Sequence, residues 1–542
     1  MDVRLSTIDI LIFIIYVLVI IALGVYASRK SGKSKRDYFL AGDKLPWWMV
    51  GGSIVAANIS SHHLVGAMGL AYQRGFVAMT IEWGAILIGF NALLWIFLPY
   101  YLRNGFYTMP EYLQRRFGEV SRMAFAALIL LTYLFVEISA VLYLGGIAID
   151  SLLGIPISVS IWVLAIATGI YTITGGLKAV IWTEMFQLVI LLAGGIALSI
   201  ATIIKIGGPA AILETSDQWH LLLPANDQDF PWTMFLGGLL CISIFYCAAN
   251  QFIVQRVLAA KSEWHARMGV VFTCYLKFLI PLIIIVPGLA AVTLFPNLEK
   301  PDFVFPTLVK NLLPSGMVGL VMAGLVAAVM SHISGAVNSC STIAAMDFYV
   351  PIRDWLKNRK NGEGVVSGES DNENNAQEDQ KTVLFGRVFG VLTIIFGILW
   401  AQVLIHHSEK PIFLYIFNAY GYFTPGIAAM FLMGIFWKRT TNAGALTAGI
   451  LTIPLTVAFD FLLPDMPFLN RTGIVFWICM VTCVLVSLMT RPKTDEELEG
   501  LIWTPASLRM PESQGKLHWY ARPVVWWGLI TVIVLAFYIA FP

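Results

Sequence analysis

The sequence predicts an all-α membrane protein with about fourteen transmembrane helices. Three observations lead to this fold class. Of the 542 residues, 58% are hydrophobic and only 13% are charged, whereas soluble domains carry about 25% charged residues. Fourteen apolar windows are long enough to cross a bilayer, which takes roughly 20 residues. Lys and Arg are concentrated in alternate loops between these windows.

The predicted spans follow one another along the whole chain, so residues 1–542 are interpreted as a single polytopic domain. The first window is not a cleavable signal, because its apolar run is too long and it lacks a basic flank. The windows are 8–28, 46–73, 78–102, 123–149, 157–175, 179–204, 233–255, 268–296, 315–346, 388–407, 411–436, 441–464, 472–490 and 523–541.

The distribution of Lys and Arg predicts the orientation of these spans. With the N-terminus outside, the inside loops hold 27 Lys and Arg residues and the outside segments hold 7. Because cytoplasmic loops are enriched in positive charge, both termini are predicted to lie outside. The inside loop of residues 361–380, NGEGVVSGESDNENNAQEDQ, is acidic and almost without large apolar side chains. We therefore expect it to be disordered.

The second and seventh spans carry polar residues where a lipid-facing helix would be apolar. The second contains Gly51-Gly52 before AANISSHHLVGAMG, and the seventh contains Gly237-Gly238 before LLCISIFYCAAN. Helices in hydrocarbon are normally unbroken, but transporters interrupt two corresponding helices to bind substrate and ion at the midplane. The two spans are five apart, as in an inverted five-plus-five repeat. We take the glycines and polar residues, rather than the shared AAN, as the signal.

Four ionisable side chains lie within or near the apolar spans: Glu82, Glu137, Glu184 and Lys277. An isolated charge at the bilayer centre costs about 2.5–3.5 kcal/mol even on the insertion scale, so each of them needs a partner or a function. Lys277, within CYLKFLIPLIII, is interpreted as functional. Glu137 and Glu184 leave both interpretations open, since buried acids also serve as structural partners.

Two adjacent histidines, His62 and His63, stand in the second span. Neighbouring residues on an α-helix point about 100° apart, so we expect one imidazole to face a cavity and the other to pack or lie at its rim. This geometry disfavours a dinuclear metal site, and no HExxH motif occurs. Because Asn58, Ser60 and Ser61 belong to the same segment, a polar cavity is the favoured interpretation.

Several longer motifs occur in an order typical of one family: DYFLAGDKLPWW, YTITGGLKAVIWTEMFQ, NQFIVQRVLAAKS, AAMDFY and FWKRTTNAGA. Over about residues 8–490 the chain resembles the solute–sodium symporter family, and within it the sodium/glucose and sodium/galactose cotransporters. The resemblance implies a LeuT-type fold. A leading helix (8–28) would precede two inverted repeats of five helices (46–204 and 233–436) and three trailing helices (441–541).

The resemblance also implies a solute site. The positions that match the family's solute contacts are Asn58, His63, Glu82, Ser243, Tyr246, Lys277 and Phe417. Their chemistry suits a neutral polyhydroxylated solute. Glu82 accepts hydrogen bonds from hydroxyl groups, Lys277 and His63 donate them, and the ring of Tyr246, the implied inner gate, covers the apolar face of a pyranose.

Two positions depart from the pattern of the sugar branch. Phe417 stands where that branch has a sugar-bonding glutamine, and Ala85 stands where it has a serine. A site built to bond a hydroxyl discriminates strongly, whereas an apolar wall does not. We therefore expect a solute other than galactose in the familiar pose, such as a deoxysugar, another hexose, a polyol or an aryl-bearing compound.

The resemblance further implies a sodium site. Its ligands would be the carbonyl oxygens of Ala56, Ile59 and Ala328, with the side chains of Ser331 and His332; the last replaces a second hydroxyl. Glu184 matches the family's acidic residue on the inner ion path. Na⁺ is the expected coupling ion. H⁺ is the alternative, because the imidazole of His332 titrates between about pH 5 and 8.

These features favour a sodium-coupled symporter that imports a neutral polyhydroxylated solute, above all a sugar, by alternating access. A proton-coupled carrier of the same fold and a transporter-like solute sensor are the alternatives; the 361–380 loop carries no catalytic domain, which counts against the sensor. Missing nucleophile, metal and cofactor signatures count against a membrane enzyme, and no basic patch indicates nucleic acid. The expected location is a plasma membrane such as the bacterial inner membrane.

Overall fold

The computed structural model describes residues 6–29, 34–42, 44–214, 219–361, 372–407, 412–509 and 517–542. Within these ranges the chain is helical apart from turns, loops and two isolated bridges, Leu45 with Ala260 and Leu223 with Pro231. The prediction of an all-α membrane protein is confirmed at this level.

The helices are numbered in chain order. Those of the first part of the chain are α1 (Thr7–Arg29), α2 (Lys35–Leu40), α3 (Trp47–Asn58), α4 (His62–Asn104), α5 (Met109–Arg116), α6 (Glu119–Leu153), α7 (Ile157–Ile206) and α8 (Pro209–Glu214). Those of the second part are α9 (Gly238–Ala249), α10 (Gln251–Leu258), α11 (Glu263–Leu294), α12 (Val304–Leu312), α13 (Met317–Lys357), α14 (Asn372–His407), α15 (Ile412–Gly421), α16 (Thr424–Phe436), α17 (Asn442–Leu462), α18 (Phe468–Met489) and α19 (Pro523–Ala540).

Ten of the described helices are long and apolar enough to cross a membrane, or up to twelve if each bent pair is one span. The bent pairs are α9 with α10, at 40°, and α15 with α16, at 50°. Helices α4 and α7, of 43 and 50 residues, each extend over two of the fourteen predicted windows. The arrangement of fourteen spans therefore stays a prediction.

Gly176 lies at the link between the two windows within α7. Its backbone angles are non-helical, φ 61° and ψ −163°, so two helices meet there at a kink. A Cβ atom there would lie 2.5 Å from the carbonyl oxygen of Tyr38. In α4 the link forms a 3₁₀ turn, Gly75–Met79, and the helix resumes at Thr80.

Two helix breaks lie at the two Ala-Ala-Asn sequences, the first directly after its Asn and the second at its Asn. Helix α3 ends at Asn58 because Ile59 is extended, with φ −83° and ψ 123°. Between α9 and α10 the extended residue is Asn250, with φ −79° and ψ 119°, and its side chain caps α10 by accepting the N–H of Phe252. The shared AAN, rather than the glycine pairs, therefore marks the breaks.

The glycine pairs serve close packing of helices instead. A Cβ atom on Gly51 would lie 2.4 Å from the carbonyl oxygen of Gly269 in α11, and one on Gly238 would lie 2.0 Å from the carbonyl oxygen of Leu469 in α18. Both distances are well inside van der Waals contact. The interpretation of these glycines as marks of broken helices needs this correction, because the breaks lie further along each chain segment.

The predicted disorder of residues 361–380 does not extend to residues 372–380, which begin α14; residues 362–371 lie outside the described part. Residues 372–380 contain neither Gly nor Pro. Its acidic side chains also meet basic neighbours, Glu378 pairing with Lys357 and Asp379 Oδ1 lying 3.0 Å from Lys35 Nζ. Without Gly or Pro the segment can be helical, and the two ion pairs tie it to neighbouring helices.

Helix α13 lies at the centre of the bundle. Every residue from Val321 to Ile343 is buried, and the helix packs against α1, α3, α6, α7 and α14. Polar side chains on α13 consequently face other helices rather than lipid. The break between α3 and α4 lies beside this central helix.

Candidate binding site

A small polar cavity lies at the break between α3 and α4, with further walls from α9, α11 and α15. The residues that line it are Asn58, His62, His63, Ile81, Glu82, Ala85, Leu239, Ile242, Ser243, Tyr246, Lys277, Ile416, Phe417 and Tyr420. They include all seven positions that the sequence predicts as solute contacts: Asn58, His63, Glu82, Ser243, Tyr246, Lys277 and Phe417. The structure therefore brings five helices and these seven side chains together in one place.

A charged cluster occupies the polar side of the cavity. Lys277 forms an ion pair with Glu82 and also donates to Asn58 Oδ1. His63 Nε2 lies 3.1 Å from the second carboxylate oxygen of Glu82. The Lys277 and Glu82 side chains are only 4% and 14% exposed, so bulk water does not screen them. One acid and one ammonium leave the cluster nearly neutral, which matches the sequence-based expectation of a neutral ligand.

Asn58, the last residue of α3, joins this cluster to an aromatic wall. Its Nδ2 donates to the hydroxyl oxygen of Tyr246 at 2.7 Å, while its Oδ1 accepts from Lys277. The Tyr246 ring lies 6.1 Å from the Tyr420 ring, and the Phe417 ring lies 6.4 Å from Tyr420, both edge to face. One side of the cavity is thus hydrogen-bonding and another is aromatic.

Both adjacent histidines line the cavity; the expectation was that one would face it while the other packed or lay at its rim. Their ring centroids are 4.0 Å apart. The reason lies in the helix break: α4 begins here with a π-helical turn, His62–Ala67, and Ser60 holds both rings. The Ser60 hydroxyl pairs with His62 Nδ1, and the Ser60 N–H lies 3.4 Å from His63 Nδ1.

The cavity is too small for a ligand in this structure. Its volume is about 50 Å³, whereas ligand pockets typically measure about 300–1,000 Å³. Two larger cavities, of about 650 and 620 Å³, have predominantly apolar and aromatic walls, and neither brings an acid and a base together among the described residues. We take the small polar cavity as the candidate site because its donors and acceptors converge; a ligand enters it only when its walls separate.

An oxygen cluster lies next to the same break. The Ser331 hydroxyl is 2.7 Å from the carbonyl oxygen of Ala56 and 3.1 Å from that of Ala328. These are three of the five residues predicted as sodium ligands, and Ile59, a fourth, is the extended residue of the break itself. Hard cations take carbonyl and hydroxyl oxygens, so this donor set fits Na⁺.

His332, the fifth predicted sodium ligand, bonds elsewhere. Its Nδ1 lies 2.8 Å from the carbonyl oxygen of Ala57, and its Nε2 lies 2.8 Å from Glu137 Oε2. Tyr420 donates to the other oxygen of Glu137. Both ring nitrogens of His332 are therefore engaged outside the oxygen cluster of Ser331.

Glu184 is paired in the interior rather than extended towards the membrane surface. It forms a fully buried ion pair with Arg256 and accepts a hydrogen bond from the Ser53 hydroxyl. The same hydroxyl accepts a hydrogen bond from Arg256 Nε at 2.8 Å. Sequence reasoning did not include Arg256. The signal available was a basic residue within NQFIVQR, directly after the second AAN.

Tyr420 and Glu137 were also not predicted as site residues. Tyr420 lies three positions after Phe417, and side chains three apart share one face of a helix, so it could have been found from spacing. The contact between Glu137 and His332 could not, because 195 positions separate the two residues.

The fold and the site together define a multi-pass membrane transporter built around broken helices. Residues 38–367 and 371–452 match the model of the sodium:solute symporter family. The chain belongs to this family, and the predicted resemblance is confirmed. The family consists of transporters rather than enzymes.

Characterised relatives support this assignment over most of the chain. A sodium/glucose cotransporter of Vibrio parahaemolyticus is 34% identical, with 91% of this chain and 92% of the relative covered. A sodium/myo-inositol cotransporter of Canis lupus familiaris is 33% identical, with 94% and 77% covered. The chain is therefore similar throughout to sodium cotransporters of sugars and of a cyclic polyol.

Two solved structures share the fold. A substrate-bound, outward-open Na⁺-coupled sialic acid symporter superimposes with a TM-score of 0.77 at 23% identity, covering 90% of this chain and 99% of that one. Mhp1, a nucleobase-cation-symport-1 family transporter, gives a TM-score of 0.53 at 13% identity, covering 85% and 97%. At these identities the similarity concerns the fold alone.

Proposed function

We propose that this chain is a sodium-coupled symporter that imports a neutral polyhydroxylated solute, a sugar or a polyol, by alternating access. The observation that carries the proposal is the convergence of Glu82, Lys277, His63 and Asn58 in one buried cavity at the broken helix. Glu82 accepts hydrogen bonds from solute hydroxyls, and Lys277 and His63 donate to them. A solute with several hydroxyl groups and no net charge suits this neutral cluster.

The walls of the cavity narrow the solute class. Ser243 supplies a further hydroxyl, Tyr246 an aromatic face and inner gate, and Phe417 with Ala85 an apolar surface. A pyranose or a cyclic polyol has both a hydroxyl rim and an apolar face, so it fits such walls. The sodium/glucose and sodium/myo-inositol relatives support the same class. Phe417 argues for a solute other than galactose in the family's usual pose.

The coupling ion is proposed to bind the oxygen atoms of Ala56, Ile59, Ala328 and Ser331, with Glu184 on its inner path. One Na⁺ that falls through 100 mV releases roughly 2.3 kcal/mol, and a tenfold gradient adds about 1.4 kcal/mol. These energies accumulate a neutral solute on the order of 500-fold. A proton-coupled carrier that uses His332 is the second candidate, favoured by the imidazole at a position where the family has a hydroxyl.

The proposal includes an architecture. Fourteen spans would be arranged as a leading helix, two inverted repeats over 46–204 and 233–436, and three trailing helices, with both termini outside a plasma membrane. The two helix breaks support it, because they lie at AAN sequences in spans five apart and have nearly equal backbone angles.

An uptake screen in proteoliposomes tests the function. The purified chain is reconstituted, and labelled D-glucose, D-galactose, myo-inositol, L-fucose and L-proline are offered with an inward gradient of NaCl or of choline chloride. We expect sodium-dependent uptake of at least one sugar or polyol and none of proline. Glu82→Gln removes the charged acceptor and should abolish the signal. Uptake of proline alone, or uptake equal in choline, would contradict the proposal.

A further inference from the structure

A chain of hydrogen bonds connects the oxygen cluster to the wall of the solute cavity. It starts at the carbonyl of Ala57, passes through His332 and Glu137, and ends at the hydroxyl of Tyr420. All three side chains are buried, His332 completely. Four helices, α3, α13, α6 and α15, each contribute one member. No solute contact or sodium ligand explains Glu137, the middle acid.

The direction of these hydrogen bonds follows from their chemistry. A carbonyl oxygen only accepts, so Nδ1 of His332 carries hydrogen and donates to Ala57. The Tyr420 hydroxyl donates to Oε1 of Glu137. A single hydrogen then lies between Nε2 of His332 and Oε2 of Glu137, which are 2.8 Å apart. Every member has a partner on each side, so the chain is complete.

The two ends of the chain lie at different sites. Ala57 is the residue after Ala56, whose carbonyl meets the Ser331 hydroxyl in the oxygen cluster. Tyr420 lines the solute cavity and belongs to α15, a short helix bent by 50° from α16. A tilt of α15 at this bend would move Tyr420 and Phe417 together. The hydrogen-bond chain therefore ties the α15 wall of the cavity to the end of the broken helix.

We propose that Glu137 is a positioning residue that couples cation binding to solute binding in this carrier. The inference rests on the proposed sodium symport. Cation binding holds the Ala56–Ala57 segment, His332 transmits that position to Glu137, and Glu137 holds Tyr420 and α15 against the solute. Coupling of this kind is reciprocal: sodium raises solute affinity by the same factor as solute raises sodium affinity.

The measured quantity is a coupling factor, the ratio of the solute dissociation constants without and with saturating Na⁺. It is obtained by scintillation proximity on purified protein, with labelled D-glucose or myo-inositol, in choline chloride and in NaCl. Typical allosteric factors are about 5–150. We expect the coupling factor of the native protein to lie in this range. That of Tyr420→Phe should fall to about 1–2, because the variant keeps the ring but loses the hydroxyl that donates to Glu137.

Two substitutions of Glu137 distinguish the effect of its hydrogen bonds from the effect of its side-chain volume. In Glu137→Gln the amide N–H can donate to His332 Nε2 and the amide oxygen can accept from Tyr420, so the coupling factor should stay within about twofold of native. Glu137→Leu removes both bonds and should lose coupling as Tyr420→Phe does. Tyr246→Phe is the matched control, because it removes a tyrosine hydroxyl from the same cavity at a residue that is not part of the hydrogen-bond chain. It should shift solute affinity equally at both sodium levels.

The outcomes are distinguishable. An unchanged coupling factor in Tyr420→Phe, or a loss in Glu137→Gln as large as in Tyr420→Phe, would overturn the role of Glu137. If Glu137→Leu does not fold, Tyr420→Phe and Glu137→Gln still decide the matter. A native coupling factor of 1 would instead refute the proposed sodium symport itself.

Discussion

Removing Lys277 should destabilise the protein and stop transport through separate effects. In Lys277→Met the carboxylate of Glu82 stays buried with His63 as its remaining polar partner, and Asn58 Oδ1 loses its donor. Breaking a buried ion pair by removal of one partner costs about 3–5 kcal/mol. We expect the free energy of unfolding, measured by SDS titration in mixed micelles, to fall by about this amount.

The double variant Glu82→Gln with Lys277→Met separates stability from function. It removes both charges, so the unfolding free energy should return to within about 1 kcal/mol of native, because no unpaired buried charge remains. Uptake should stay absent in both variants, since both lack the charged donor to solute hydroxyls and the double variant also lacks the charged acceptor. The reasoning fails if the double variant is as unstable as the single one, or if Lys277→Met transports normally.

Three further predictions concern specificity, the ion and pH. Phe417→Gln should raise the affinity for D-galactose or D-glucose, relative to that for the native solute, by about fivefold. This factor corresponds to one added hydrogen bond of about 1 kcal/mol. Competition uptake over a panel of sugars measures it. Ser331→Ala should raise the sodium concentration for half-maximal uptake by about fivefold or more, because it removes the oxygen that meets the Ala56 and Ala328 carbonyls. Burial raises the pKa of Asp302, in the loop turn Pro301–Phe303, from 3.8 to about 6. The folded state therefore holds a proton that the unfolded state releases, and the unfolding free energy falls as pH rises from about 4 to 6. At pH 7.5 the unfolding free energy of Asp302→Asn should exceed that of the native protein by about 2–3 kcal/mol. It should also not fall as pH rises. SDS titration between pH 4.5 and 7.5 measures both effects.

Each of these has a result that counts against it. An unchanged sugar preference in Phe417→Gln would mean that the ring does not face the bound solute. A native sodium dependence in Ser331→Ala would remove that hydroxyl from the ion site. Equal pH profiles of native protein and Asp302→Asn would show that Asp302 is hydrated.

The candidate cavity was largely predictable because seven of its lining residues occupy positions that the family resemblance implies as solute contacts. All seven predicted solute positions line one cavity. His62 was missed because the expectation assumed regular α-helix, while the segment after the break is a π-helical turn in which Ser60 gathers both imidazoles. Local backbone geometry, rather than residue type, decided this point.

Pairings between distant helices were not predictable in the same way. Glu137 meets His332 across 195 positions, and Glu184 meets Arg256 across 72. The sequence indicates that an acid within the membrane needs a partner. Several basic residues are available as that partner, and only the packing of the helices selects one of them. The link between the two windows within α7 has a local cause instead, because two helices meet where Gly176 takes non-helical angles.

Coupling to sodium is the central claim, and a gradient exchange in proteoliposomes tests it most directly. Uptake of the transported sugar or polyol is measured with an inward sodium gradient and equal pH on both sides, and then with an inward proton gradient and equal sodium. We predict accumulation above the external concentration in the first condition and only equilibration in the second. Accumulation driven by the proton gradient alone would contradict sodium coupling and support the carrier in which His332 takes up the ion.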